Sequence, residues 1–197
     1  MWFALPPQVD AGPGLSESLR PLVEAHCVEC HAGPKSKGEL DLALLIDVPQ
    51  FELVALAHDF RTFAVQKTYL AWAEGNALPD SIHARQPIGT RPHGPLELAC
   101  VEPDGQPSLT RLRVLRREPA RMLIAAQPIT GRANQIRIHA AACGAPLVGD
   151  PLYGPGGVPK SNATAAAGGY FLHAAALSFR HPDGRWIKLR SWPDWLE

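Results

Sequence analysis

Two arginines in residues 131–154, GRANQIRIHAAACGAPLVGDPLYG, stand where a folded chain would hold an anion. The apolar run 122–129 ahead of them suits a buried strand, and Thr130 and Gly131 then turn the backbone. Asn134 can cap a helix running to Cys143. Ile136, Ala140 and Cys143 fall at helical spacing and would face a core. Gly144 would end the helix in the left-handed conformation, with Pro146 preventing its continuation. Arg132 and Arg137 are then polar groups beside a helix N-terminus, whose backbone N–H groups already favour negative charge. The predicted ligand is a phosphate or a carboxylate.

A second group of arginines lies just upstream. Residues 110–121 place Arg111, Arg113, Arg116, Arg117 and Arg121 around Leu112, Val114 and Leu115. A strand with one basic face of this kind can track a phosphate backbone, or it can be a solvated outer face. Near the start of the chain, residues 16–30 read as a helix with Leu19, Leu22 and Val23 on one side. It runs into Cys27-Val28-Glu29-Cys30-His31, a C-x-x-C-H box of the type that attaches c-type haem, with His31 as the proximal ligand. Zinc held by His26, Cys27, Cys30 and His31, or an unliganded thiol pair at a helix end, are the alternatives. Residues 19–42 also look like the haem-bearing segment of certain bacterial cytochrome c domains.

The 131–154 stretch resembles the third motif of the RluA family of pseudouridine synthases, G-R-x-x-Q-[IL]-R-[IV]-H followed by G-x-P-[IL]-x-G-D-x-x-Y-G. Two further pieces agree in order. Lys67-Thr68-Tyr69-Leu70-Ala71, with Gly75 after it, looks like the family's K-T-Y-L-A-x-x-x-G strand. Leu172-His173-Ala174, then Leu177-Ser178-Phe179 and His181-Pro182, looks like its closing segment. The resemblance covers residues 53–197. It implies an α+β fold: a mixed, largely antiparallel sheet with packed helices. It also implies isomerisation of uridine to pseudouridine in ribosomal or transfer RNA, with no cofactor; haem c enters only with the C-x-x-C-H reading.

By the same resemblance Tyr69 packs on the target uracil, Arg137 pairs with the catalytic aspartate, and Ile138 is an apolar residue near the base. An aromatic face is a sensible partner for a base taken out of its stack, although a core tyrosine is the plainer reading of Tyr69. Arg111, Arg113, Arg116 and Arg132 are the candidate RNA contacts. The family's H-R-L-D-x-x-T-S-G motif, which carries the aspartate, has no match. The nearest analogue is Glu39-Leu40-Asp41, with Asp41 preceding Lys67 by 26 positions where about thirty would fit. Asp41 is therefore the candidate catalytic carboxylate, and the catalytic domain is expected to lack its N-terminal half. An unpaired Arg137 is too costly to bury, so it should be exposed or paired with another acid.

Composition bounds these readings. With 46% hydrophobic and 19% charged residues in 197, the chain is an ordinary globular one that can bury a core. No apolar run is long enough to span a bilayer, and Pro6 and Pro7 come too early for a signal peptide, so a cytoplasmic location is expected. The net charge of zero hides a reversal: residues 1–60 carry −6 and residues 61–197 carry +6. Two segments follow from that break, 1–50 with the cysteine box and 51–197 with the synthase-like motifs. Within the second, residues 68–72 and 96–101 read as strands, and 76–95 as loop. The two histidines of that loop, His83 and His93, have no metal-ligand spacing. Asp150 and Tyr153 read as structural parts of the G-D-x-x-Y-G turn. Residues 155–169 read as a flexible surface insertion, 171–179 and 185–190 as a hairpin, and Trp192 and Trp195 as a cover for the core.

Overall fold

The computed structural model describes residues 64–94, 96–161, 163, 169–180 and 184–196. Asp41 and the Cys27, Cys30, His31 box lie outside them, as does the proposed boundary near residue 50. Eight strands and one α-helix follow in order: β1 (Gln66–Glu74), β2 (Ser81–Ala84), β3 (Ile88–His93), β4 (Leu96–Val101), β5 (Thr110–Arg117), β6 (Arg121–Pro128), α1 (Gln135–Ala142), β7 (Leu172–Arg180) and β8 (Trp186–Arg190). Six strands form one sheet in the order β2-β5-β6-β1-β7-β8, and β3 and β4 form a separate hairpin. Every described pairing is antiparallel.

The two faces of the large sheet follow from strand alternation. Tyr69, Ala71 and Ala73 of β1 pair with Ala126, Ile124 and Met122 of β6. Together with Leu112 they form a core cluster that receives Ile136 and Ala140 of α1. The opposite side of the helix presents Ile138 and Ala141 to Ile88, Leu98 and Ala99 of the hairpin. Helix α1 is thus enclosed between sheet and hairpin, and its residues 135–141 are all buried. On the other face of the sheet Leu70, Ala125 and Ala175 form a smaller cluster, covered by Trp195 and Leu196 of the closing 3₁₀ turn.

The helix stops as its sequence predicts. Gly144 has φ +82°, its N–H bonds to Ala141 O at 3.0 Å, and the next N–H, of Ala145, bonds to Ala140 O at 3.0 Å. Several expectations need correction. Residues 76–95 are not all loop, because β2 and β3 lie there. Four-residue β2 is too short to show a period, and Pro92 in β3 is tolerated where the strand belongs to a two-stranded hairpin. The basic strand ends at Arg117, and Arg121 begins the next one. The start of the 155–169 insertion is anchored: Lys160 N bonds to Leu152 O at 2.8 Å, and Lys160 Nζ donates to Asp150 O at 2.7 Å. Trp195 covers the core, whereas Trp192 is 63% exposed.

Candidate active site

A helix buried all round must satisfy each polar side chain it carries, and Gln135, Arg137 and His139 do so in three different ways. Gln135 uses its full capacity. Its Oε1 accepts from Thr130 Oγ1 at 2.8 Å and Arg132 N at 3.0 Å, while its Nε2 donates to Leu109 O at 3.0 Å and Thr110 Oγ1 at 2.9 Å. His139 lies between Gln86 O, 2.9 Å from Nε2, and Thr110 Oγ1, 2.7 Å from Nδ1. A carbonyl only accepts, so Nε2 carries the proton and Nδ1 receives the Thr110 hydroxyl. Burial holds the His139 pKa below its ordinary value, partly offset by the bond to Gln86.

Arg137 meets Asp150. Its Nε donates to Oδ2 at 2.8 Å and its Nη2 to Oδ1 at 2.6 Å, a two-pronged pair with side chains only 8% and 1% exposed. The Nη1 group donates to Asn134 Oδ1 at 3.0 Å. Burial opposes the charge, and the hydrogen bond and negative charge of Asp150 outweigh it, raising the Arg137 pKa. Tyrosine rings flank the guanidinium, that of Tyr170 at 4.1 Å and that of Tyr153 at 5.0 Å. Asp150 in turn is fixed by Leu152 N at 2.8 Å and Tyr153 N at 3.1 Å, both donating to Oδ1. Tyr153 donates its own hydroxyl to Ala99 O at 2.7 Å. Of the two outcomes expected for Arg137, the structure shows the second: burial with another acid.

Asn134 does not cap the helix as expected. It occupies the N-cap position at φ 54°, ψ 18°, in the left-handed region that asparagine tolerates, and its side chain makes no capping bond. The Oδ1 atom that would cap the helix serves Arg137 instead. An open anion site at this helix N-terminus is therefore not what forms: Arg137 is neutralised within the chain.

The remaining sequence candidates separate. Tyr69 lies on the α1 face of the sheet, 8% exposed, in the cluster against which Tyr170 also packs. Tyr170, whose ring lies 4.1 Å from the Arg137 guanidinium, thus packs against the same cluster that holds Tyr69. Ile138 is fully buried beneath the β3–β4 hairpin, packing rather than lining an open surface. Arg111 and Arg113 are exposed on the opposite face of the sheet. Arg116 lies 4.9 Å from the Trp72 ring and 3.3 Å from Glu118, with Arg121 at 4.1 Å from the same ring. These two cover a buried indole. Arg132 directs Nη2 to Pro107 O at 3.5 Å. Sequence reading passed over Gln135 and left Asp150 as a turn residue. The signal for Asp150 was its place in the same unbroken motif as Arg137. Among the described residues no group of three His, Cys, Asp or Glu side chains is placed to hold a metal ion. No described helix is long and apolar enough to cross a membrane.

This arrangement of sheet, enclosed helix and hairpin is a pseudouridine synthase fold. It superimposes on human RNA pseudouridylate synthase domain containing 1 with a TM-score of 0.62 and 25% identity, covering 76% of this chain and 63% of that one. Residues 52–142 match the family model described as RNA pseudouridylate synthase. An RNA pseudouridine synthase of Synechocystis is 39% identical over 129 residues, 64% of this chain and 44% of that protein. The dual-specificity RNA pseudouridine synthase RluA of Vibrio cholerae is 40% identical over 97 residues, 49% of this chain and 37% of that one. Ribosomal large subunit pseudouridine synthase C of Vibrio vulnificus is 34% identical over 139 residues, 71% and 44%. Over residues 52–142, then, the chain matches the RNA pseudouridylate synthase family, and it is similar to synthases of the RluA and RluC types. It spans less than half the length of these three relatives. The matched model begins after the Cys27, Cys30, His31 box, so a cytochrome-like identity for that segment finds no support in it.

Proposed function

We propose that this chain isomerises uridine to pseudouridine in RNA, ribosomal or transfer. The supporting observation is the match of residues 52–142 to the synthase family, in a domain where Tyr69 and Arg137 lie on one side of the sheet. In this chemistry a carboxylate aids cleavage of the N-glycosidic bond, the base turns while held in the site, and it rejoins the ribose through carbon 5. Tyr69 supplies the ring against which the uracil rests. Arg137 supplies a permanent positive charge, and its count of donors supports a second acid partner. A guanidinium has five N–H groups, of which Asp150 takes two and Asn134 one, so two remain for a second acid. Asp41 is the candidate for that acid, and Arg111 and Arg113 are candidates for phosphate contacts.

A second reading, RNA binding without chemistry, is favoured by the same ion pair, since Asp150 already neutralises Arg137. One experiment separates the two. The full chain is incubated with ribosomal and transfer RNA fragments, and pseudouridine is mapped chemically. Product that disappears in Asp41→Asn while RNA affinity is kept supports the enzyme and its nucleophile. Product that persists in the variant removes Asp41 from the site. Salt-sensitive RNA binding without product supports the second reading, and the absence of both removes the two together.

A further inference from the structure

On the sheet face opposite α1, the last strand carries a pattern that neither the core nor the Arg137 site uses. Exposure alternates along it and the two residues that follow: Trp186, Lys188, Arg190 and Trp192 are exposed, with Ile187, Leu189 and Ser191 half-buried between them. The two tryptophans, at 56% and 63%, are the most exposed large apolar side chains among the described residues. Among the described residues, the side chains of Lys188 and Arg190 have no hydrogen-bond or ion-pair partner, and β8 itself contains no acidic residue. Arg180, opposite Trp186 in the β7–β8 register, adds a third cation. Strand β8 is also the end of the sheet order, so nothing among the described residues continues the sheet beyond it.

The same face continues inward. Arg190 pairs with Ala176, Ala176 with Thr68, and Thr68 Oγ1 receives Gln127 Nε2 at 3.3 Å. Gln127 pairs in turn with Arg111. A cleft of about 370 Å³ opens along this row, lined by Thr68, Arg111, Gln127, Ala176 and Ser178. Its lining is mixed: Arg111, Thr68, Gln127 and Ser178 are basic or polar, and Val65, Pro128 and Ile129 are apolar, so its basic and polar side suits a negatively charged partner.

We infer that Trp186, Lys188, Arg190 and Trp192 form a binding surface for single-stranded RNA. Flat rings separated by cations meet both needs of an unpaired strand: its bases stack on indoles and its phosphates take the ammonium and guanidinium groups. An apolar protein partner would have to desolvate Lys188 and Arg190 between the rings, at a cost nothing here offsets. From Trp186 to Trp192 the chain spans about 20 Å at about 3.3 Å per residue, enough for several nucleotides. The inference does not depend on isomerisation taking place.

The test is a fluorescence-anisotropy titration of the full chain with a labelled single-stranded oligouridylate over a series of salt concentrations. Trp186→Ala and Trp192→Ala should each weaken binding at least about fivefold. Trp186→Phe and Trp192→Phe keep a stacking ring and should retain most of the affinity, which separates stacking from a folding defect. The Lys188→Ala/Arg190→Ala double variant should reduce the slope of log K against log salt by about 1.4. Parental affinity and slope in all these variants overturn the inference, as does equal competition by duplex RNA of the same length. Should Trp186→Ala instead dissociate an oligomer in sedimentation while leaving RNA affinity unchanged, the face is a contact between copies of this chain and the inference falls.

Discussion

Replacing Asp150 by asparagine tests the centre of the fold and of the candidate site together. Asparagine keeps the shape and can still accept from Leu152 N and Tyr153 N, but it removes the charge that balances Arg137. Both side chains of the pair are more than nine-tenths buried, so water cannot take over. Breaking such a pair by removing one partner costs about 3–5 kcal/mol, a large part of the roughly 5–15 kcal/mol a domain has in total. For a chain of this size each kcal/mol moves the melting temperature by about 2–4 °C, so Asp150→Asn should lower it by about 6–20 °C. Calorimetry on Asp150→Asn, Arg137→Met and Arg137→Met/Asp150→Asn makes a double-mutant cycle. The double variant should be less destabilised than the sum of the single ones by about 2–3 kcal/mol, since it leaves no isolated charge. Additive losses, or an Asp150→Asn protein within about 1 kcal/mol of the parent, would refute the claim that Asp150 neutralises a buried Arg137.

Three other outcomes follow from geometry already described. His139 is held neutral, its pKa depressed mainly by burial; the stability this provides is complete above pH 6.5 and falls below it, because the unfolded chain then takes up a proton that the fold does not. Denaturant midpoints at pH 7.5 and 5.5 should show the loss, and His139→Gln should flatten it; His173, depressed in the same direction by burial, supplies the remainder. Gly157 has φ +72°, and a Cβ there would lie 2.8 Å from Ile138 O, so Gly157→Ala should cost about 2–4 kcal/mol in a urea melt. Arg117 donates to Asn76 O, Leu78 O and Asp80 Oδ1 at 2.7–2.8 Å. Arg117→Ala should therefore speed hydrogen exchange across residues 75–80 while leaving exchange in β6 unchanged.

Much of this fold was legible because its central strands carry their own pattern. The 122–129 run and the K-T-Y-L-A segment are β6 and β1, adjacent in the middle of the sheet, where burial on both faces makes apolar runs. The helix end was legible too, because Gly144 is the one residue type that adopts φ +82° without strain. The helix start was not. Asn134 has a capping side chain, but whether it bonds to the backbone or to Arg137 depends on where Asp150 brings the guanidinium, a contact across 13 positions. Strand β3 was hidden because its Gly89, Pro92 and His93 read as turn residues, and only its pairing with β4 makes them a strand. Trp192 was misplaced for a similar reason. Aromatic content predicts burial on average, yet beyond β8 the 3₁₀ turn puts Trp195 over the core while Trp192, before it, is in solvent.

The site itself was legible as a motif and not as a mechanism, and the structure says why. Gln135, Arg137, His139, Asp150 and Tyr153 are all motif residues, and each has a buried hydrogen-bond partner within the fold. Every one of them is required to enclose a polar helix between a sheet and a hairpin, whatever the chain does to RNA. A long match in this region therefore attests the fold far more strongly than the chemistry. What distinguishes an enzyme from a binding module is a carboxylate facing the two N–H groups of Arg137 that Asp150 and Asn134 leave. An acid in that position would share the guanidinium with Asp150 and would be held ionised by it. Without one, the charge of Arg137 is already balanced by Asp150.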